Sequence, residues 1–410
     1  MISPKLCIKC KGRLFCGLSS CVILDRYSTV SNAVKQIDGT SFEGSTPPSL
    51  FISWRNYPDV SLAPLSSPLP EGIDSFDSPE QWFGFSQQKI LSMREQLIGA
   101  RKKILVSDAA NPSYKVSEMQ ELAMAERPVE VEVELRSKPT ARLSFHESVA
   151  PMGPSAEMKS FQLTGNPTIP QKVDYLVSDG EVKAETALSE LYSERFNVSY
   201  LYKLLSSGLL GVKKQRRFVP TRWSIAATDD IISKKIVNEK VKKFPQLGET
   251  LLFNASYLDN NFWVLLFPSS WCFEQLEAWL PGASWAMNAK EPTIAQDHEF
   301  FNGRKTYAEN ISGAYYSARL AVAEYFAKEK RQGGAIVFRE VGEGYGVPLG
   351  VWVIRETVRK AMQKKPLSFS SLELSLKFLE QKLKIPMQRY KKESKLLDLI
   401  KNQRKISEFV

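Results

Sequence analysis

The sequence predicts an α+β fold: a mixed core domain with a cysteine cluster at its N-terminal end and a basic helical segment at its C-terminal end. Segments with helical spacing and segments with two-residue alternation both occur, without the regular strand–helix rhythm of a parallel sheet. Four of the five cysteines lie within the first 21 residues. Residues 356–410 hold 14 Lys/Arg and 6 Asp/Glu, so +8 of the net charge of +10 lies there.

Length and composition limit the class of protein. At 410 residues the chain is long enough for two or three compact units, and 43% hydrophobic residues suffice to form cores. No stretch approaches the roughly 20 apolar residues of a membrane-spanning helix, and the stretch MISPKLCIKCKG lacks the apolar core of a signal peptide. We therefore expect a soluble, cytoplasmic protein with no membrane partner.

The stretch CIKCKGRLFCGLSSC places Cys7, Cys10, Cys16 and Cys21 in a C-x2-C-x5-C-x4-C pattern. In a cytoplasmic chain such a cluster favours metal binding over disulfides. Four thiolates close a tetrahedral Zn²⁺ site, and the bound metal supplies the folding energy that so short a segment lacks. We predict structural zinc. The alternatives are a redox pair or unrelated cysteines, and the spacing does not separate zinc from an iron–sulfur cluster.

Residues 41–80 are rich in Pro, Ser and Gly, and within them LFISW and DVSLAPL are predicted strands. Because Trp54 and Tyr57 accompany the prolines, we expect ordered irregular structure around these strands. Apolar spacing predicts a helix over residues 86–105. In RPVEVEVELRS the aliphatic and glutamate side chains alternate, which predicts a half-buried strand.

The middle of the chain alternates between helical and strand patterns. VKAETALSELYSERFNVSYLYKLLSSG predicts one or two helices that end at Gly208, and a further helix is expected near residues 231–243. ASYLDNNFWVLLFP predicts a hairpin that turns at residues 259–261. A long amphipathic helix follows over residues 306–331. GGAIVFREV is a predicted strand, and GVWVIRETVRKAM is a predicted strand that runs into a helix.

Residues 366–400 alternate apolar and basic residues at helical spacing, and Pro386 separates two predicted short helices. A basic segment of this kind suits an acidic partner such as nucleic acid. The alternative is a solvated helix face.

The chain ends in QRKISEFV, where Gln403, Ile406 and Phe409 stand three residues apart. In one 3₁₀ turn Ile406 and Phe409 fall on the same side and form a two-pronged apolar plug, with Gln403 left for polar contacts. The pattern resembles the PCNA-interacting (PIP) motif that docks on sliding clamps, with Val410 where a second aromatic residue is common. The alternative is a terminal helical turn that packs Phe409 onto the protein itself. The position behind a basic helical segment favours the clamp motif.

The central motif GVKKQRRFVPTRWSIAATDD is first basic and then acidic. Lys and Arg neutralise phosphates and aromatic rings stack on bases, so the motif predicts nucleic-acid contacts. The predicted contact residues are Lys213, Lys214, Arg216, Arg217, Arg222 and Trp223, with Phe218 interleaved. Asp229 and Asp230 follow. Two carboxylates can hold Mg²⁺, but capping of the next helix is the commoner role and the one that we favour.

Four motifs together resemble the Nre family of archaeal DNA repair proteins: CIKC…CGLSSC, EGSTPPSLFISWRNYPDVSLAPL, VPTRWSIAATDD and REVGEGYGVPLGVWVIRETVRKA. The resemblance covers essentially the whole chain, and VPTRWSI is its most specific part. It implies an archaeal cytoplasmic protein in DNA damage repair. It also implies a C4-type zinc finger at the four clustered cysteines and a clamp-binding motif at residues 403–410. It implies no chemical reaction.

The residues leave open whether the protein is an enzyme. The chain has two His, His146 and His298, and neither a P-loop nor GxGxxG, so a His-rich metal hydrolase is not expected. GEGYGVPLG can approach a phosphate closely, although a tight loop is the commoner role of such a run. Glu340 precedes this run and Glu343 lies within it, and both are candidates for acid–base catalysis or metal binding. The candidate catalytic residues are Arg222, Asp229, Asp230, Glu340 and Glu343.

Two functions fit these patterns. The first is a DNA damage repair factor that binds PCNA through its tail and contacts DNA through basic patches. The alternative is a nucleotide- or nucleic-acid-processing enzyme that hydrolyses phosphate-ester or glycosidic bonds in a pocket built by residues 213–230 and 339–350. The expected domains are a zinc finger (1–24), an α+β core (25–365), a basic helical segment (366–400) and a PCNA-interacting tail (401–410).

Overall fold

The computed structural model describes residues 10, 13–15, 21–69, 71–143, 151–283, 286 and 289–402. The chain divides into two compact units, an N-terminal unit of residues 2–231 and a C-terminal unit of residues 232–410. Each contains one six-stranded mixed sheet, and twelve α-helices lie within the described residues. The predicted α+β class is confirmed. The expected core of residues 25–365 comprises parts of both units.

The sheet of the N-terminal unit has the strand order β1-β5-β6-β4-β3-β2. Its strands are β1 Ser41–Thr46, β2 Leu50–Ile52, β3 Asp59–Ser66, β4 Ile98–Leu105, β5 Val129–Leu135 and β6 Ser155–Leu163. Only the β4–β6 pair is parallel among these neighbours. Its helices are α1 Val22–Lys35, α2 Gln87–Glu95, α3 Tyr114–Met124, α4 Gln171–Ser178, α5 Ala184–Ser193, α6 Val198–Ser206 and α7 Thr221–Glu239, the last of which continues into the C-terminal unit.

Most of the predicted elements of this unit are confirmed. The aliphatic side chains of β5 are buried and its glutamates face outward, as their alternation predicts. The helix predicted over residues 86–105 is wrong beyond Glu95, because residues 98–105 form β4. This strand hydrogen-bonds to β3 on one side and to β6 on the other. Pairing on both edges satisfies its backbone groups and outweighs a local helical pattern.

The sheet of the C-terminal unit has the strand order β10-β9-β11-β8-β7-β12, with β9 and β11 parallel and the other neighbours antiparallel. Its strands are β7 Thr250–Tyr257, β8 Asn260–Phe267, β9 Cys272–Trp279, β10 Thr293–Glu299, β11 Gly334–Val341 and β12 Leu367–Phe369. Its own helices are α8 Gly313–Glu329, α9 Trp352–Met362, α10 Leu372–Glu380, α11 Met387–Glu393 and α12 Lys395–Asn402.

Three boundaries in this unit differ from the sequence-based expectation. The hairpin turns at Leu258 and Asp259, which both have positive φ, so the turn lies one residue earlier than predicted. The helix expected from residue 306 begins at Gly313. GVWVIRETVRKAM is helical from Trp352, and its predicted strand is wrong.

The basic C-terminal segment is part of the C-terminal unit and covers one face of its sheet. Leu379, Leu383 and Leu396 share a buried cluster with the strand residues Leu276 and Phe338. The segment forms three helices where two were predicted, because the chain also breaks at Ser394, between α11 and α12. Burial of this apolar face leaves the basic side chains toward solvent. Among the described residues, no helix combines the length and apolar composition needed to cross a membrane.

Candidate nucleic-acid interface

The VPTRWSI motif forms the start of α7. Thr221 is the first helical residue, and its Oγ1 accepts the N–H of Ile52 in β2 at 2.9 Å. The Oγ of Ser206, at the end of α6, lies 3.3 Å from Thr221 Oγ1, within hydrogen-bond distance. These contacts fix the first turn of α7 against the sheet. Arg222 and Trp223 project from that turn into solvent, and 45% of the Trp223 surface is exposed.

The turn between β2 and β3 carries two more exposed aromatic side chains, of which Tyr57 reaches Trp223. Tyr57 N donates to Trp54 O at 3.4 Å, and these two side chains are 47% and 39% exposed. The ring centroids of Tyr57 and Trp223 lie 5.1 Å apart, and the ring planes are inclined at 52°. Trp54, Arg55, Tyr57, Arg222 and Trp223 are hereafter the aromatic–arginine surface.

Val106, the residue that follows β4, connects the two chain segments of this surface. Val106 N donates to Pro58 O at 3.1 Å, and Val106 O accepts the N–H of Phe218 at 2.9 Å. Phe218 itself is buried. It was grouped with Trp223 as a stacking residue on sequence, but it anchors the segment before α7 in the core and has no face open to a base.

The basic residues upstream of α7 do not form one uniform patch. Lys213, Lys214 and Arg217 are exposed. Arg216 is half-buried and donates to the carbonyl oxygens of Val177 (2.8 Å) and Asp179 (3.2 Å) through Nη2, and to that of Gly211 (2.8 Å) through Nε. Burial lowers the pKa of the Arg216 guanidinium. Its hydrogen bonds tie three chain segments together.

Asp229 and Asp230 lie inside α7, where the sequence favoured a capping role. This expectation is wrong because α7 begins at Thr221, directly after Pro220, and both aspartates fall well inside it. Proline is favoured near the start of a helix, where its missing N–H is not needed. Asp229 is fully buried and Asp230 is half-buried.

Glu340, in β11, is buried in the C-terminal unit, and both of its oxygens accept hydrogen bonds from the C-terminal segment. Oε2 accepts from Lys384 N at 3.1 Å, and Oε1 accepts from Ile385 N at 2.9 Å and from the Tyr390 hydroxyl at 3.2 Å. Burial, together with the nearby Glu340 carboxylate, raises the pKa of Tyr390. This carboxylate therefore joins the sheet to the segment that enters α11.

A second buried carboxylate of the same kind was missed on sequence. Glu274 in β9 accepts Lys395 N at 2.7 Å through Oε1 and the Ser394 hydroxyl through Oε2, at the start of α12. Gln296 Nε2 donates to Oε1 at 2.6 Å. Burial raises the pKa of Glu274, although these donors oppose the shift. Nothing in CFEQLEAW signals the role, since its partners come from a distant part of the chain.

The glycine-rich loop after β11 binds a carboxylate of the protein itself. Gly344 N donates to Asp259 Oδ2 at 2.7 Å, and a Cβ atom on Gly342 would lie only 2.0 Å from the same oxygen. A side chain at Gly342 would therefore displace the Asp259 carboxylate from this hydrogen bond. Glu343 is exposed in this loop beside Gly282. Arg222, Asp229 and Asp230 belong to the N-terminal unit, and Glu340 and Glu343 to the C-terminal unit.

Only two of the four clustered cysteines are described. Cys10 is buried, and its Sγ accepts the N–H of Phe15 at 3.3 Å. Cys21 is the N-cap residue of α1. Cys7 and Cys16 lie outside the described residues, within which no group of three or more metal-ligating side chains occurs. A sulfur that accepts a backbone N–H fits a thiolate ligand, and the zinc site remains a prediction.

The clamp motif also lies outside the described residues. Gln403, Ile406, Phe409 and Val410 follow directly after α12, which ends at Asn402.

Comparison with known proteins finds two matching family models. The model described as archaeal Nre, N-terminal, matches residues 15–286, and archaeal Nre, C-terminal, matches residues 299–409. "DNA repair protein NreA" of Archaeoglobus fulgidus is 38% identical over 376 residues, which cover 92% of this chain and 93% of that protein. "DNA repair protein NreB" of the same organism is 34% identical over 391 residues (95% and 96%). "DNA repair protein NreA" of Haloferax volcanii is 35% identical over 352 residues (83% of each). No solved structure matches the chain.

Proposed function

The chain belongs to the archaeal Nre family, and we propose on this premise that it is a cytoplasmic DNA repair factor. In this proposal the aromatic–arginine surface contacts DNA, and residues 403–410 bind the sliding clamp PCNA. The observation that carries the proposal is the contact between the exposed rings of Tyr57 and Trp223, whose chain segments each carry an exposed arginine, Arg55 or Arg222.

Three features of the aromatic–arginine surface support DNA contact. Its cations, Arg55 and Arg222, are exposed, so their charge is available to phosphates. Arginine binds phosphate through two parallel N–H donors, which fixes orientation as well as charge. The backbone segments that carry the rings are held by hydrogen bonds of Ile52 in β2 and of Val106 just after β4, so little backbone entropy is lost when a nucleic acid binds.

The clamp assignment is supported by the spacing of the tail and by its point of attachment. Gln403 directly follows α12. That helix is held on the sheet by Leu396 in the buried cluster and by the hydrogen bond from Lys395 N to Glu274. The peptide therefore begins at a helix that is fixed on the sheet. When the peptide binds a clamp on DNA, the rest of the protein is held near that DNA at a raised effective concentration.

We further propose that Cys7, Cys10, Cys16 and Cys21 hold one structural zinc ion. The support is the four-thiolate spacing together with the bond from Phe15 N to Cys10 Sγ. A site closed by four thiolates has no open position for substrate, so the metal would stabilise this segment without taking part in a reaction.

The clamp proposal is tested by calorimetry of an archaeal PCNA with the full chain and with a Phe409→Ala variant. The aromatic prong of an apolar plug is a typical hot spot, so we expect binding at least about 30-fold weaker in the variant. Ser407→Ala lies between the two prongs and serves as the matched control, with an affinity near that of the unaltered chain. Equal affinity of Phe409→Ala and the unaltered chain, or no binding by either, would overturn the clamp proposal.

A further inference from the structure

We propose that the aromatic–arginine surface binds unpaired bases, and that its ligand is single-stranded DNA. The inference rests on the proposed function for DNA as the partner and adds the strandedness. Stacking of a base requires a ring face that is open to solvent. Trp54, Tyr57 and Trp223 each provide exposed ring surface, whereas Trp82 in the same unit is fully buried.

The chain segments that carry Tyr57 and Trp223 are fixed by hydrogen bonds, and the two rings contact each other. Tyr57 is fixed by its turn contact with Trp54 O and by the bond from Val106 N to the neighbouring Pro58 O. Trp223 belongs to the first turn of α7. Thr221, the first residue of that helix, accepts a hydrogen bond from Ile52 N through its Oγ1. Because the two rings are inclined at 52°, they do not stack face to face, and neither ring covers the whole face of the other. Successive bases of a flexible strand can follow such a change of direction, since the backbone of single strands rotates freely.

The exposed arginines of the surface suit a single phosphate backbone. Arg55 and Arg222 adjoin Trp54 and Trp223 in sequence, and both are exposed. Asp59, opposite Leu105 where β3 and β4 meet the turn, is an exposed acidic residue next to the surface. β4 carries exposed Arg101 and Lys103 on the same face as exposed Leu105, which pairs with Asp59, so further positive charge lies along this strand.

A duplex is a poorer ligand for this surface. Its bases stack on one another and show only their edges in the grooves, so ring faces meet them only after a step is unstacked at a cost. In an unpaired strand the base faces are accessible and every base has one, so the surface is expected to tolerate different sequences.

The experiment is fluorescence anisotropy of the full chain with labelled dT20, with a 20-base-pair duplex and with rU20, at several salt concentrations. We expect dT20 to bind more tightly than the duplex. Removal of one stacking ring by Trp223→Ala or Tyr57→Ala is expected to weaken dT20 binding by about 5- to 150-fold, since one base stack is lost. Tyr114→Ala removes a more exposed ring at the start of α3 and is the matched control, with unchanged binding expected. Circular dichroism and melting curves of the variants confirm that they are folded.

Each result separates this inference from the proposed function. Duplex binding as tight as dT20 binding, with Trp223→Ala and Tyr57→Ala without effect, overturns the unpaired-base assignment and leaves a DNA-contacting repair factor. Tighter binding of rU20 than of dT20 overturns DNA as the ligand. No binding of any nucleic acid, with PCNA binding intact, overturns both the inference and the DNA contact of the proposed function, and leaves only the clamp interaction. Loss of dT20 binding in both ring variants, with Tyr114→Ala unaffected, supports it.

Discussion

Glu340 provides the sharpest test of how a candidate catalytic carboxylate is used in this fold. Its two oxygens accept three hydrogen bonds, from Lys384 N, Ile385 N and the Tyr390 hydroxyl. Glu340→Gln keeps the shape of the side chain but turns one oxygen into a donor. At least one buried N–H then loses its acceptor, which costs about 1–3 kcal/mol of unfolding free energy. Glu340→Ala removes all three acceptors and leaves a cavity, so its loss is expected to be larger, about 3–5 kcal/mol.

Urea unfolding measures these losses, and hydrogen exchange followed by mass spectrometry locates them. The amides of residues 384–390 are expected to exchange faster in both variants, while the N-terminal unit is unaffected. Glu329→Ala is the control, since Glu329 is exposed at the end of α8 in the same unit and its removal is expected to change stability by less than about 0.5 kcal/mol. A carboxylate kept for chemistry at the expense of stability would give the opposite result. Variants of Glu340 as stable as the unaltered chain would refute the structural role.

Two further predictions concern the glycine-rich loop and the cysteine cluster. Gly342→Ala would place a Cβ atom 2.0 Å from Asp259 Oδ2, so the Asp259 carboxylate must move and give up its hydrogen bond from Gly344 N, and we expect a loss of about 1–3 kcal/mol of unfolding free energy in thermal denaturation; an unchanged melting temperature would contradict the close approach. Elemental analysis of the purified protein is expected to find one zinc per chain, lost in Cys10→Ser and kept in Cys272→Ser, whose thiol is buried in the C-terminal unit. Iron in place of zinc would identify an iron–sulfur cluster.

The predictability of each strand depended on where its neighbours come from. β5 was evident on sequence because one of its faces is solvated, and alternation is then visible along the chain. β9 was not evident on sequence, because every residue of this strand is buried although three of them are polar: Glu274, Gln275 and Glu277. The Glu277 carboxylate is paired with Arg339 at 2.6 Å, in the parallel neighbour β11. A polar residue with such a partner is indistinguishable on sequence from one on a solvated loop.

The candidate site divides in the same way. Arg222 and Trp223 were found from their motif, but the contact of Trp223 with Tyr57 joins residues far apart in the chain, and no local pattern predicts it. In the same motif Arg216 and Arg217 are adjacent, and the sequence does not show which of the two side chains is buried. That choice is made by carbonyl oxygens at residues 177, 179 and 211, which accept from Arg216 and compensate for its burial. Arg216 thus contributes to the folding free energy and Arg222 to the positive potential of the surface. The charge that a run of basic residues can offer to a nucleic acid is therefore smaller than their number suggests. Basic residues that bind the protein's own backbone, as Arg216 does, must first be subtracted.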